Sequence, residues 1–520
     1  MIDDRFIRVE RLLPRETLFH PRWFLRCEVS ILVVTDSGSG GFGDEAGFHL
    51  GQILKILSTD PWSHVRFVVT KAHRQTTGEA DVLENFRFDL HDLSGYSQIW
   101  LFGINTTGPD PLGAAELKTL AQFMDQGGGV FATGDHENLG QAMCAEVPRV
   151  RSMRRWYYPS PGPNGEPVAP AQVGAERHDT VVNLPLGNQS DAVPQPITPK
   201  WYSRRSGGAF IHRIDSYPHP LLCGPDGVIE YLPDHMHEGC CEVPSDLGQS
   251  FTFDGYTTTE YPGADAGGEK PRLVACARTR NTDNTEFGVI AAYDGHAAGV
   301  GRVVVDATWH HWFNINLMGF LAATDPASPA YDPTVVPKWE AIKAYYRNVA
   351  AWLARPSLQG CLRRGGWLSA LGYYDILITH RELRSVTDPL AYYWQLGVFA
   401  RDALGRLASR CQRTRWEIEL LEELKPPFRI DPWRVPPRPQ PDPPPWLDLD
   451  QLERVALGGA VHALMEKFRD EPEPQRLVER DEVDAVATAG AAQAAGELLA
   501  RFKAAGKEAD RLAKALAERR

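Results

Sequence analysis

Aspartate, histidine and glutamate stand side by side at Asp135-His136-Glu137, directly after a glycine-rich turn and an apolar run, Gly127-Gly128-Gly129-Val130-Phe131-Ala132-Thr133-Gly134. Histidine titrates near neutrality and an adjacent carboxylate can orient it, so such a pair suits general acid–base work. Asp135 and His136 are therefore expected as acid–base residues and Glu137 as an orienter. A structural alternative for Asp135 is that it N-caps a helix beginning near Glu137. Histidine and acid recur together at Asp234-His235-Met236-His237-Glu238, Asp294-Gly295-His296 and Asp306 with His310-His311, and 14 of the 16 histidines precede residue 325. His310 or His311 is the expected second proton-transfer group.

Neutral imidazole and carboxylate are also ligands for zinc or manganese. On an extended chain alternate residues point the same way, so His235 and His237, with Asp234, are the candidate ligands of a divalent metal ion. The alternative is a metal-free polar rim of histidines. Asp36, Ser37 and Asn105 are expected to face substrate. Two segments combine bases and aromatics: Arg149, Arg151, Arg154, Arg155, Trp156, Tyr157 and Tyr158, then Lys200, Trp201, Tyr202, Arg204 and Arg205. Guanidinium groups fork onto carboxylate or phosphate, so Arg154 and Arg155 are candidates to grip an anionic substrate group; equally, these arginines pair with carboxylates of the chain itself. Gly38-Ser39-Gly40-Gly41-Phe42-Gly43 fits a dinucleotide-binding spacing, but Asp36, Asp44 and Glu45 crowd it with negative charge and no ribose-binding acid follows near Thr70. It is read as a flexible substrate-facing loop, with no nucleotide cofactor.

The elements that must position these groups alternate strand-like runs, Val29–Thr35, Val65–Thr70, Gln98–Gly103 and Val130–Thr133, with helical spacing over Glu45–Leu57 and Ala114–Asp125. This is the pattern of an α/β protein with a doubly wound, mostly parallel, flavodoxin-like sheet. Polar residues at the C-terminal ends of such strands enter the crevice where open sheets place their sites. Periodicity fails from 146 to 271, a long irregular insert. Strands return at Leu273–Ala277, Val289–Tyr293 and Gly301–Asp306, and a helix at Asn316–Ala323. The expected organisation is an N-terminal segment over 1–28, a sheet domain over 29–325 and a helical subdomain over 326–424. A proline-rich linker follows over 425–446, and C-terminal helices over 447–520. Ten prolines between Pro426 and Pro445 predict an extended spacer. Leu498, Leu499, Phe502, Leu512 and Leu516 share one face of the last helix, as in a helix that docks a protein partner or self-associates.

Four features, in order, resemble the class I glutamine amidotransferase-like superfamily and its ThuA-like (trehalose utilisation) branch over roughly 29–325. They are the first strand; the Gly127–Gly129 turn with its strand; His219-Pro220-Leu221-Leu222-Cys223-Gly224 followed by Asp234 to Glu238; and Gly301-Arg302-Val303-Val304-Val305 with His310. The resemblance implies an enzyme, a hydrolase or related acid–base catalyst, acting on a small polar or carbohydrate-like substrate. An amidotransferase needs a cysteine at the strand–helix elbow, where this chain has Gly134, so glutamine hydrolysis through a thiol is not expected. The alternative is a ligand-sensing or scaffolding protein that uses the same fold without catalysis.

Hydrophobic residues make up 43% and charged residues 23%, a globular balance, and the formal net charge of −12 gives no general attraction to nucleic acid or anionic membrane. No stretch reaches the roughly 20 apolar residues of a membrane span. Eight scattered cysteines without a C-x-x-C pair predict reduced thiols and, with the acidic start Met1-Ile2-Asp3-Asp4, a cytoplasmic protein.

Overall fold

The computed structural model describes residues 27–37, 40–59, 65–106, 111–158, 160–166, 192–206, 213–224, 227–233, 238–279, 284–371, 376, 379, 388–407, 410–434, 440–470 and 482–518. Nine strands form one sheet: β1 (Cys27–Thr35), β2 (Val65–His73), β3 (Val82–Leu83), β4 (Gln98–Phe102), β5 (Gly129–Thr133), β6 (Thr198–Pro199), β7 (Arg272–Arg278), β8 (Glu286–Tyr293) and β9 (Val303–Asp306). Their order is β3-β2-β1-β4-β5-β9-β8-β7-β6. Pairing is parallel from β3 to β9 and antiparallel from β9 to β6. Apart from the two-residue β3, the parallel strands run in the order of a flavodoxin-like sheet, whose direction of winding reverses between β1 and β4.

Central strands are apolar on both faces because helices cover both. In β1 the residues Val29, Ile31, Leu32, Val33 and Val34 are all buried, as are all five residues of β4 and of β5. At about 1.5–3 kcal/mol for each fully buried Val, Leu, Ile or Phe, this core dominates the sheet's stability. Helix α1 (Gly51–Thr59) and α4 (Asn314–Thr324) pack with α5 (Val336–Leu353), which also crosses β1, β5 and β9. Helix α2 (Ala114–Asp125) packs on the turn Phe88–Leu90 and on the hairpin Ser250–Thr259, and the short α3 (Gln141–Cys144) follows β5. Beyond α5 come α6 (Pro356–Leu371), α7 (Pro389–Leu407), α8 (Arg410–Glu423), α9 (Leu449–Asp470) and the 36-residue α10 (Glu482–Ala517).

Three expectations change. The insert holds ordered hairpins, Trp201–Ser206 with Arg213–Pro218 and Ser250–Phe253 with Tyr256–Thr259, and it supplies β6 to the sheet. The proline-rich segment is a packed loop where its residues are described: Arg429 N donates to Pro441 O at 2.9 Å, Trp433 is buried and its indole donates to Pro218 O at 2.9 Å, and Arg204 reaches Ile430 O at 3.1 Å. The cysteines are not all reduced. Cys27 at the start of β1 is bonded to Cys361 in α6, 334 residues away, and Cys223 is also disulfide-bonded. Such bonds persist in oxidising compartments, so thiol usage no longer supports a cytoplasmic location. No helix among the described residues is long and apolar enough to cross a membrane.

Candidate active site

The C-terminal ends of β1, β4, β5 and β9 bring together most of the polar residues singled out above. Asp36 follows β1 at the point where the sheet's winding reverses. Its buried carboxylate accepts the backbone N–H of Ile104 at 2.7 Å and of Asn105 at 3.1 Å, both just beyond β4. Burial nevertheless dominates and pushes its pKa up to about 7, against those hydrogen bonds and the nearby Arg74. The Asn105 side chain donates back to Asp36 O, and the Asn105 carbonyl receives Gly140 N and Ala142 N, so Asn105 ties the ends of β1 and β4 to the start of α3. Ser37 O lies 2.7 Å from His73 Nε2. Asp36 and Asn105 thus tie the ends of β1 and β4 together by bonding to each other's segments, with Asp36 buried and Ser37 and Asn105 half-buried.

The described part of the glycine-rich loop beside them, from Gly40 on, is tied down. Gly41 bridges to His49, Phe42 N donates to Glu79 Oε2 at 3.0 Å, and Asn314 donates to the carbonyls of Gly43 and Glu45. These bonds replace the flexible loop expected from its composition.

At the end of β5, Asp135 is fully buried, and among the described residues its carboxylate meets the side chains of His136, His310 and Thr308. His136 Nδ1 lies 2.7 Å from Oδ2, His310 Nε2 lies 3.4 Å from the same oxygen, and the Thr308 hydroxyl donates to Oδ1 at 2.9 Å. Burial opposes the charge on Asp135, but the two histidines outweigh it and hold the carboxyl well below its ordinary range. Burial likewise opposes a charge on His136, yet the Asp135 carboxylate prevails and its pKa is raised. His310 goes the other way. It is wholly buried, with Nδ1 2.6 Å from Asn316 Oδ1 and its ring 4.0 Å from that of Trp309, and desolvation wins over Asp135 to lower its pKa. One carboxylate therefore holds one imidazole that favours the proton and another that resists it, and His136, 16% exposed, is the one nearer solvent.

Several expectations are corrected here. Asp135 does not cap a helix: α3 begins at Gln141 with Gly140 as its N-cap, and the backbone N–H of Asp135 instead donates to Leu139 O at 3.2 Å. Glu137 sits in the left-handed region with φ 51°, and the group that orients His136 is Asp135 rather than Glu137. His311 is not beside Asp135. It is buried, with Nδ1 2.6 Å from Asp306 Oδ1 and Nε2 2.8 Å from Gln195 Oε1, in a network where Asp306 also accepts the Trp312 indole at 3.1 Å and the Tyr345 hydroxyl at 2.9 Å. Arg154 is fully buried and donates to the carbonyls of Ala307, Asp135 and Arg155, so it braces the turns after β5 and β9 instead of gripping an anion. Arg155 pairs with Glu242. The remaining bases are matched in the same way: Arg149 with Asp125, Arg151 with Glu166, Arg204 with Glu453.

Asp234, His235 and His237 lie outside the described residues. The described residues that flank them stand beside the site: Tyr231–Pro233 contacts the Trp309–His311 turn, and Gly239 N donates to Ala307 O at 3.2 Å. Among the described residues no three His, Cys, Asp or Glu side chains cluster as a metal site. The His219-Pro220 segment is a buried turn, in which His219 Nδ1 accepts Leu221 N at 3.3 Å and burial lowers the imidazole to about 3.

Gly134 explains why the elbow carries no thiol. A Cβ there would stand 2.3 Å from Leu139 O and 2.8 Å from the Trp156 ring, leaving no room for any side chain. Cys144 does not substitute for it, being fully buried, with its thiol pKa raised by desolvation and Sγ 3.8 Å from Thr133 O.

Thr308 and Asn316 were not singled out in sequence. Thr308 had a signal, lying between Asp306 and His310; Asn316, in a helix of apolar residues, had none.

No family model matches the chain, and no curated protein matches it. Among solved structures the chain is similar to the mmIFT52 N-terminal domain at 9% identity, over 58% of this chain and 100% of that one, with a TM-score of 0.27, a likeness too loose to carry an argument.

Proposed function

We propose that this chain is a ThuA-like enzyme, a hydrolase or related acid–base catalyst acting on a small polar or carbohydrate-like substrate at the C-terminal edge of the sheet. The observation that carries the reading is the sharing of the buried Asp135 carboxylate by His136 and His310. Ionised Asp135 fixes the Nδ1–H tautomer of His136 and raises its proton affinity, so His136 is the general acid or base nearer to substrate. His310 is the second proton-transfer group, kept neutral by burial. Thr308 and the Arg154 brace are positioning residues that hold Asp135 in place. A zinc or manganese ion held through Asp234, His235 and His237 would supply Lewis acidity there.

The test is a turnover screen of purified protein against mono- and disaccharides, their lactones and small polar amides, with products followed by mass spectrometry. His136→Ala is expected to cut turnover by roughly 10²–10⁴-fold, the usual worth of a positioned acid or base, with an unchanged circular dichroism spectrum. Turnover that survives His136→Ala would remove this assignment. Specific binding of one panel member without turnover would instead favour the ligand-sensing alternative.

A further inference from the structure

A groove of about 1210 Å³ runs through the helical extension. One wall is the exposed face of α10 at Ala485, Ala489 and Ala492, and the other comes from the end of α8 and the proline-rich loop at Leu424, Pro444 and Trp446. The acids that line it are already paired: Glu423 lies 2.9 Å and Asp484 3.2 Å from Arg363, and Asp442 lies 3.7 Å from Arg205. What the groove offers an occupant is therefore apolar surface, including Trp446 and Leu499, which are 53% and 42% exposed. Its volume exceeds the roughly 300–1,000 Å³ of small-ligand clefts, so a stretch of polypeptide is the fitting occupant.

The start of the chain is tethered beside one end of this groove. Arg363 of α6 bridges the two walls there, since Glu423 closes α8 and Asp484 lies in the first turn of α10. Cys361, two residues before Arg363, is bonded to Cys27 with their Cα atoms 5.9 Å apart, so residues 1–26, which lie outside the described residues, join the fold at that end. We propose that the groove is the seat of residues 2–13 of the same chain. Their sequence places Ile2, Phe6, Val9 and Leu13 at the spacing of one helix face, with Asp3, Asp4, Arg8, Glu10 and Arg11 on the others and Ile7 the one bulky apolar residue among those polar positions. Acids at its start, arginines toward its end and Pro14 just beyond are the boundary signals of a helix. Such a helix is about 18 Å long, against about 21 Å of groove wall from Ala485 to Leu499. Residues 14–26 extend to about 43 Å, enough to reach the groove from Cys27 whichever way the helix lies.

Limited proteolysis of the full chain tests this, because trypsin cuts after arginine and cleavage follows how often a seated segment opens. The reference is a synthetic peptide of residues 1–26, in which so short an isolated helix is marginal. Cutting at Arg5, Arg8 and Arg11 of the full chain, followed by mass spectrometry, is expected to be at least about tenfold slower than in that peptide. Phe6→Glu with Val9→Glu, and separately the groove-filling Ala489→Trp, are each expected to restore the peptide's rate. Ala489 is exposed, so its variant is expected to keep the fold, checked by circular dichroism, with Ala492→Trp as a second filling variant on the same exposed wall. Wild-type cleavage at the peptide's rate overturns the proposal. Slow cleavage that persists in both filling variants also overturns it, by placing the segment elsewhere. Light scattering is expected to give the monomer mass for wild type; a dimer lost on Phe6→Glu with Val9→Glu would show the segment crossing to a second copy and reject the same-chain seat.

Discussion

Two aspartates end neighbouring strands of one sheet, Asp135 just past β5 and Asp306 at the last residue of β9, and each bonds to histidine, yet only at Asp135 is one of those histidines partly exposed. Asp306 accepts from His311, the backbone N–H of Thr308, the Trp312 indole and the Tyr345 hydroxyl, and both Asp306 and His311 have no exposed surface. Asp135 is as deeply buried, but it bonds to His136, whose side chain keeps 16% exposure. Residue type and spacing look alike in the two pairs. What separates the two pairs is exposure: Gln195 closes the second nitrogen of His311, whereas the His136 side chain keeps 16% exposure.

That contrast can be broken most forcefully at Asp306. Replacing it by alanine strands four donors in the core, and a stability loss of about 3–5 kcal/mol in urea unfolding is expected, the scale for breaking a buried charged network. A loss below about 1 kcal/mol, typical of a single ordinary hydrogen bond, would show that the network is not the anchor described here.

Asp135→Asn sharpens the comparison at the other pair. With the carboxylate charge gone, burial and Arg154 act on His136 against Glu137 alone, and its pKa, followed through the ring-proton resonances by NMR, is expected to fall below its wild-type value. The linkage has a definite sign. A folded-state pKa raised above the ordinary histidine value contributes stability that is present below the unfolded value and lost as pH rises through the folded one. The variant should lose that part of the pH dependence. An unchanged His136 titration would mean that Asp135 does not set its proton affinity.

A third test lies at Asp36, where the effect is confined to a pH interval. Its folded pKa of about 7 against an unfolded value near 3.8 means that the folded state binds a proton the unfolded state has released, so this group makes stability fall as pH rises from about 4 to 7. Asp36→Asn keeps an acceptor for Ile104 N and should flatten stability over that interval. A slope identical to wild type in urea titrations at several pH values would contradict the burial assigned to this carboxyl.

Much of the sheet was legible because a buried strand must be apolar at nearly every position. Val29–Thr35, Gln98–Gly103 and Val130–Thr133 were read within two residues of β1, β4 and β5, and Ala114–Asp125 coincides with α2. The helix expected from Glu45 starts only at Gly51, because the preceding residues are spent on the Gly41–His49 bridge and on bonds to Asn314. The insert hairpins were hidden because Trp201–Ser206 and Arg213–Pro218 bury charge through ion pairs such as Arg204 with Glu453 in α9, a partner about 250 residues away that no local pattern reveals. The same long range concealed the Cys27–Cys361 bond. At the site, Asp135, His136 and His310 were legible as types at strand ends. The mistaken roles of His311 and Arg154 came from burial, which a list of polar residues does not disclose.

The crowding at Gly134 also couples that glycine to the aspartate–histidine trio. A cysteine placed there would need the Leu139 carbonyl and the Trp156 ring to move, and Trp156 is itself covered by the Arg154 guanidinium that holds Asp135. Any side chain introduced at position 134 would therefore disturb the brace behind Asp135 as well as the turn itself.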